Sequence, residues 1–254
     1  MNQARRNKIV ELLEKQGTVS NGELMQLFDI SIETVRRDLA YLEKGGFLER
    51  VYGGAVKKKF MRVEPNYTHR ENENANEKRA IAIQANTLIE DEESIFFDIG
   101  TTVLSVAQNI GENKKIDAFT SGLRTAMTLS EQGVEVTLTG GRVRKGEYAV
   151  SGSIAENTMR CFNLDKAFIG VAGVDENGVT DFIPQEAFLR KQVIDNARVV
   201  IVVADHSKFG VRASCNVCPL EEIDILITDD KAPNELLKKI RKKGVAVMVA
   251  KTTV

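Results

Sequence analysis

Beyond residue 77 the chain alternates seven short apolar runs with amphipathic helical stretches, and no other feature constrains its fold as tightly. The runs occupy 94–98, 116–120, 134–139, 166–171, 199–204, 225–228 and 245–249. Segments 77–89, 103–110, 125–131, 154–162, 186–196 and 234–243 read as helices; the first places Ile81, Ala82, Ala85, Leu88 and Ile89 at helical spacing. Apolar strands joined through helices predict a mainly parallel α/β sheet covered on both faces. Such sheets bind ligands where loops leave the carboxyl ends of their strands.

The first 57 residues follow a different pattern. Segment 3–16 reads as a helix with Ile9, Leu12 and Leu13 on one face, ending near Gly17. Ser20-Asn21-Gly22-Glu23 has the form of a capping box and opens a short helix carrying Leu24, Leu27 and Phe28. A turn at Asp29-Ile30-Ser31 follows, with Ser31 set to cap a third helix. Its inward residues are Ile32, Val35, Leu39 and Leu42, and Gly45-Gly46 ends it. Phe47 to Tyr52, then Gly53-Gly54, then Ala55-Val56 predict a strand, a glycine turn and a return strand. Three small helices followed by a β-hairpin make an α+β winged helix-turn-helix. The expected organisation is a winged helix at 1–57, a polar linker at 58–76 and an α/β domain at 77–254.

A chain of 254 residues has room for two such domains. Its formal charge of −1 conceals a partition. Residues 1–62 hold 12 Lys and Arg against 8 Asp and Glu, whereas residues 63–254 hold 23 against 28. A basic segment joined to an acidic body is the asymmetry expected of a protein that meets nucleic acid at one end. No apolar stretch approaches the ~20 residues of a membrane-spanning helix. Glu11 and Glu14 interrupt the basic start at Arg5, Arg6 and Lys8, so no signal peptide is expected. Three cysteines, an odd number, point to a reducing cytoplasm. Cys215 and Cys218 lack a second ligand pair for zinc, and all three cysteines are expected to act as small apolar residues.

On the third helix Glu33, Thr34, Arg36, Arg37 and Tyr41 face away from the core. Short polar groups near a helix start suit base edges, and guanidinium groups suit guanine or phosphate. Arg36 and Arg37 lie roughly 100° apart, so one can read a base while the other grips the backbone. With the capping Ser31 they form the expected reading surface. The wing adds Arg50 and Tyr52, and Gly53 and Gly54 permit close approach to DNA.

In the second domain, Asp98-Ile99-Gly100-Thr101-Thr102 lies where a strand yields to a helix. Two hydroxyls and the free N–H groups of a helix start form a phosphate cradle. Thr120-Ser121-Gly122 and Thr139-Gly140-Gly141-Arg142 follow the next two strands, and the three loops should converge on one crevice. Ala204-Asp205-His206-Ser207-Lys208-Phe209-Gly210 follows the most apolar strand. There Lys208 either pairs with Asp205 to order the loop or presents its ammonium to an anion.

These residues resemble the DeoR family of bacterial transcriptional regulators over nearly the whole chain. The resemblance rests on Thr34-Val35-Arg36-Arg37-Asp38-Leu39, Val51-Tyr52-Gly53-Gly54-Ala55, Asp98 to Thr102, Thr139 to Gly141, Lys166 to Gly170 and Ala204 to Phe209. It implies a repressor of sugar or nucleoside catabolism released from DNA by a phosphorylated intermediate. The family's sensor domain is in turn similar to ribose-phosphate isomerases, which implies a rival function. Against that family, Ile169 and Ala172 stand where two catalytic aspartates belong, and Lys191 stands in place of a glutamate. The resemblance therefore implies a kept phosphate grip without the carboxylates that proton transfer between sugar carbons needs.

The expected protein is a cytoplasmic homo-oligomer, dimer or tetramer, that binds an operator in double-stranded DNA. It answers a phosphorylated sugar and needs no cofactor or metal. The phosphate is expected on Gly100, Thr101, Thr102 and Lys208, and the sugar hydroxyls near Asp98, Thr120, Ser121, Gly141 and Arg142.

Overall fold

The computed structural model describes residues 2–44, 47–57, 64–111 and 114–252. The chain forms two compact units that divide between Pro65 and Asn66. In the first, α1 (Asn2–Gln16), α2 (Asn21–Phe28) and α3 (Ile32–Lys44) precede a hairpin of β2 (Leu48–Val51) and β3 (Gly54–Lys57). Ser20 caps α2 as its motif requires. Its hydroxyl accepts from the Glu23 amide at 3.2 Å, and the Glu23 carboxylate accepts from the Ser20 amide at 2.8 Å. Ile9, Leu13, Val19, Leu24, Val35, Leu39, Leu42, Leu48 and Ala55 are buried together as one core. The Gly45-Gly46 helix stop lies outside the described residues.

One strand is not visible in the sequence pattern. β1 (Thr18–Ser20) pairs antiparallel with β3 and makes a three-stranded sheet of order β1-β3-β2. Three residues are too few to display a period. This strand corrects the reading of Gly54. A Cβ there would lie 2.1 Å from the Val19 carbonyl oxygen, so Gly54 lets β1 approach β3 and is buried away from DNA. Gly53, at φ 88°, makes the wing turn, and its carbonyl accepts from the Asn21 amide at 2.8 Å.

The second unit begins with α4 (Tyr67–Asn72) and α5 (Ala75–Asn86). There follow β4 (Ser94–Phe97), α6 (Thr101–Gln108), β5 (Asp117–Thr120), α7 (Leu123–Glu131) and β6 (Glu135–Leu138). Next come β7 (Arg142–Arg144), β8 (Ala149–Ser151), α8 (Ser153–Met159), β9 (Leu164–Gly170), β10 (Gly173–Val174) and β11 (Gly178–Asp181). The chain closes with α9 (Pro184–Asn196), β12 (Ala197–Val203), β13 (Cys215–Pro219), β14 (Ile225–Asp229), α10 (Asn234–Lys242) and β15 (Ala246–Ala250).

All seven expected runs enter one sheet of order β15-β14-β12-β9-β4-β5-β6, and every pairing in it is parallel. Ile95, Phe97, Phe168, Ile201 and Val203 pack into a layer with α5, α6 and α7. Phe96, Ala167, Ile169, Val200 and Val202 pack into the opposite layer with α8, α9 and α10. Apolar side chains are needed on both faces, which is why the strands read as unbroken apolar runs. The antiparallel pair β7–β8 and the small sheet β10-β11-β13 are additions that the alternation does not announce.

The expected linker at 58–76 is narrower in the structure. Residues 58–63 lie outside the described residues, while α4 and the start of α5 belong to the second unit. Asn66 caps α4 by accepting from the Thr68 amide at 3.0 Å. Tyr67 is buried beneath Arg124, whose guanidinium carbon stands 4.4 Å from the ring centroid. A short polar helix tied down by such contacts leaves no apolar period to read. Among the cysteines, Cys218 is buried and Cys215 partly so, but Cys161 is exposed and does not fit the expectation of a buried apolar residue.

The glycine pair offers a test of the wing. Gly54→Ala is expected to cost the first unit about 2–3 kcal/mol through overpacking against Val19, and Gly53→Ala about 1–2 kcal/mol through its left-handed φ. Urea unfolding of the chain measures both, and a reversed ranking refutes the packing role of Gly54.

Candidate functional site

On the first unit, Glu33, Arg36 and Arg37 are exposed along α3, and Tyr52 is fully exposed at the wing tip. Ser31 caps α3: its Oγ lies 3.4 Å from the Thr34 amide and 3.2 Å from the Thr34 hydroxyl. The backbone beneath these groups is fixed by residues whose role the sequence did not reveal. Asp38 is buried and receives Arg5 Nε at 2.6 Å and Arg6 Nε at 2.8 Å, which locks α1 onto α3. Arg6 also lies 3.8 Å over the ring of Tyr41. Arg50, expected to meet DNA, turns to Glu43 instead. Its backbone amide donates to one Glu43 oxygen at 3.0 Å and its Nε to the other at 2.7 Å. It therefore staples the wing to α3, and Arg36 and Arg37 are the outward cations among the described side chains of that helix.

In the second unit the loops after β4, β5 and β6 leave neighbouring strands at the carboxyl edge of the sheet, as the sequence implied. Gly100, at φ 110°, precedes α6, and Thr101 and Thr102 open that helix with its unpaired N–H groups. Thr120 is fully buried, and its hydroxyl accepts from the Gly122 amide at 3.0 Å. The Ser121 carbonyl accepts from the Val150 amide at 2.8 Å. These two residues shape the loop from within. Gly141, at φ 117°, is confined by the Ser151 carbonyl, while Arg142 is exposed on β7.

Asp98 is the clearest correction. It is buried, and its oxygens are taken by the Ile99 amide at 2.7 Å, the Gly170 amide at 3.1 Å and Arg190 Nε at 2.5 Å. Arg190 also reaches Asp181 at 2.8 Å. Burial disfavours the Arg190 charge, but Asp181, Asp98 and Glu186 more than restore it and hold its proton tightly. Asp98 thus anchors the loop, and its carboxylate serves the protein's own donors.

Lys208 lies half-buried at the end of a 3-10 turn, His206–Lys208, beyond β12. Strand β9 separates β12 from β4, so this loop and the α6 start need something to join them. The missing piece is Lys78 on α5. It is buried, and its ammonium donates to the Arg70 carbonyl and, at 2.6 Å, to the Glu73 carbonyl. The Arg70 carbonyl also accepts from the Thr101 hydroxyl at 3.3 Å. Burial pushes the Lys78 ammonium down to about 8, with Asp205 opposing that shift and Lys208 adding to it. Asp205 accepts from the Ser207 amide at 3.0 Å and from Asn74 at 3.0 Å. Burial raises its carboxyl, and Lys208, Ser207 and Lys78 outweigh that to hold it below the ordinary value. The signal for Lys78 was present in the sequence: it stands three and four residues before Ile81 and Ala82 on the apolar stripe of its helix.

A recess of about 590 Å³, lined by Glu92, Lys114, Lys115, Ile116, Asp117, Gly133 and Glu135, opens at the amino ends of β5 and β6. Its three carboxylates stand against two lysines, and it lies by the C-terminal end of α7, which does not favour an anion.

The DeoR-like helix-turn-helix domain matches residues 5–59, and the DeoR C-terminal sensor domain matches residues 73–230. The chain belongs to the DeoR family of transcriptional regulators. It is 34% identical over 248 residues to the HTH-type transcriptional regulator GolR of Listeria innocua, covering 97% of this chain and 98% of that one. It is 36% identical over 245 residues to the HTH-type transcriptional regulator GlpR of Haloferax volcanii, covering 96% of each. It is 31% identical over 236 residues to the glycerol-3-phosphate regulon repressor of Escherichia coli, covering 92% of this chain and 93% of that one. Among solved structures, ribose 5-phosphate isomerase A of Methanocaldococcus jannaschii aligns over 54% of this chain and 55% of its own, at 18% identity and a TM-score of 0.41. So slight a likeness carries no argument about chemistry. Among the described residues no helix is long and apolar enough to cross a membrane.

The anchor of this DeoR-family sensor unit can be tested directly. Arg190→Met leaves Asp98 and Asp181 buried without their cation and is expected to cost about 3–5 kcal/mol. Chemical denaturation of the full chain measures it, and a loss below about 1 kcal/mol refutes the anchoring role.

Proposed function

We propose that this regulator represses a carbohydrate-utilisation operon and leaves its operator when a phosphorylated sugar binds the crevice of the second unit. One observation carries the reading: Thr101 at the start of α6 and the buried ammonium of Lys78 share the Arg70 carbonyl, and the half-buried Lys208 is near enough to Lys78 to weaken its hold on its proton. A helix start and two lysines suit a phosphate dianion. The cations meet that need locally, whatever the acidic total of the domain.

In this reading Arg36 and Arg37 read or grip the major groove, Glu33, Thr34 and Tyr52 lie beside them, and Arg142 contacts the sugar portion. The protein acts as a homo-oligomer on two half-sites and works without catalysis, in the cytoplasm. The names of its relatives support carbohydrate control: one is a repressor of a glycerol-3-phosphate regulon. The deciding measurement is operator-binding anisotropy titrated with sugar phosphates and their unphosphorylated parents, beside a turnover assay on the same compounds. Release by a phosphorylated compound alone, without turnover, supports the proposal. Indifference to every phosphorylated compound defeats it.

Arg36→Ala and Arg37→Ala should each weaken operator binding by about 1–3 kcal/mol with the fold intact. Lys208→Ala should abolish the response to ligand and spare DNA binding.

The pH dependence has a defined sign. A phosphate monoester gains its second charge as pH rises through about 6, and Lys78 loses its charge as pH rises through about 8. Ligand affinity should therefore peak between these values and fall above about 8, and Lys78→Met should remove the alkaline fall. Calorimetric titration across that range checks the profile.

A further inference from the structure

The two groups best placed to receive an anion are already engaged, and their partners are the chain's own carbonyls. Helix α4 ends with the Arg70 and Glu73 carbonyls pointing at Lys78, and the Arg70 carbonyl also takes the Thr101 hydroxyl. The last carbonyls of any helix carry partial negative charge and lack intrahelical partners. Here they sit on the cation and hydroxyl beside the start of α6.

We infer that the C-terminal end of α4 is an internal competitor of the effector, occupying Lys78 and Thr101 until an anion displaces it; this rests on the anion site proposed above. A phosphate that takes Lys78 and the Thr101 hydroxyl withdraws those donors from the Arg70 and Glu73 carbonyls. The side chains of α4 keep ties of their own, and Asn74 just past the helix donates to Asp205 at 3.0 Å. Glu71 meets Arg124 at 2.8 Å, the Arg70 guanidinium meets Glu147, and Tyr67 stacks under Arg124. Losing the carbonyl contacts therefore loosens the backbone of the last turn while the side-chain ties stay. Asn66, which caps α4, is the first residue of the sensor unit, so the chain coming from the DNA-binding unit enters the sensor at this helix. The loosened element is thus the one through which the two units are covalently joined. A stronger ligand must overcome the contacts of α4, which couples binding energy to its release.

The test is hydrogen exchange in the full chain, read at the Arg70 and Glu73 amides, which donate within α4 to Asn66 and His69 at 3.0 Å each. Inorganic phosphate serves as the probe, with chloride at matched ionic strength as control, and calorimetry records whether phosphate binds. Phosphate should raise exchange at these amides about tenfold and leave the amides of α9 unchanged. Thr101→Val, which removes a donor but little volume, should raise exchange at the same amides about threefold without any phosphate. Phosphate that binds without loosening α4 overturns the competition and leaves the proposed anion site standing. Unchanged exchange in Thr101→Val likewise overturns it. Failure of phosphate and of every sugar phosphate to bind removes both the competition and the reading beneath it.

Discussion

The crevice of the sensor unit depends on one buried guanidinium. Arg190 comes from α9 and binds Asp98 after β4 and Asp181 at the end of β11, and Asp98 in turn holds the amides of Ile99 and Gly170. A charge so deeply buried is costly unless every partner is in place. Once they are, four separate segments are fixed relative to one another, among them the turn that aims the first residues of α6. The glycine at 100 adopts its positive φ because it has no Cβ, and Asp98 holds the strand end just before it. The groups that suit an anion therefore need no rearrangement of the sheet to stand where they do.

Electrostatics in this chain are arranged by position. The second unit is acidic in sum, yet its carboxylates at the crevice are spent internally: Asp98 on Arg190, Asp205 on Ser207 and Asn74, and Glu77 on Lys231. The same economy appears in the first unit. Asp38 and Glu43 absorb Arg5, Arg6 and Arg50, so these three basic side chains hold the unit together. Lys8 and Lys15 on α1 and Arg36 and Arg37 on α3 are among those that face outward.

The strands of the main sheet were legible because burial on both faces demands uninterrupted apolar runs, and the helices of the first unit because their caps and spacings agree. The shortest pieces were not. β1, β7, β8 and β10 have two or three residues each, too few to display a period, and β1 pairs with β3, more than thirty residues on. The candidate site was legible by loop and less so by residue. Asp98 looked like a ligand contact because a carboxylate at a strand end carries no mark of an arginine 92 positions away. Lys78 was passed over for the converse reason: a lysine near a helix start resembles a solvated side chain, and only the fold reveals that its stripe is buried. Gly54 was read as space left for a partner molecule when its neighbour was Val19.

The bracing of the first unit separates what holds the reading surface from what does the reading. The wing turn is fastened through Gly53 to Asn21, the wing strand through Arg50 to Glu43, and α3 through Asp38 to α1. The side chains of Arg36, Arg37 and Tyr52 belong to none of these fastenings. On the proposed reading, operator preference in such a scaffold is exchangeable: selection can rewrite those outward positions with little effect on folding.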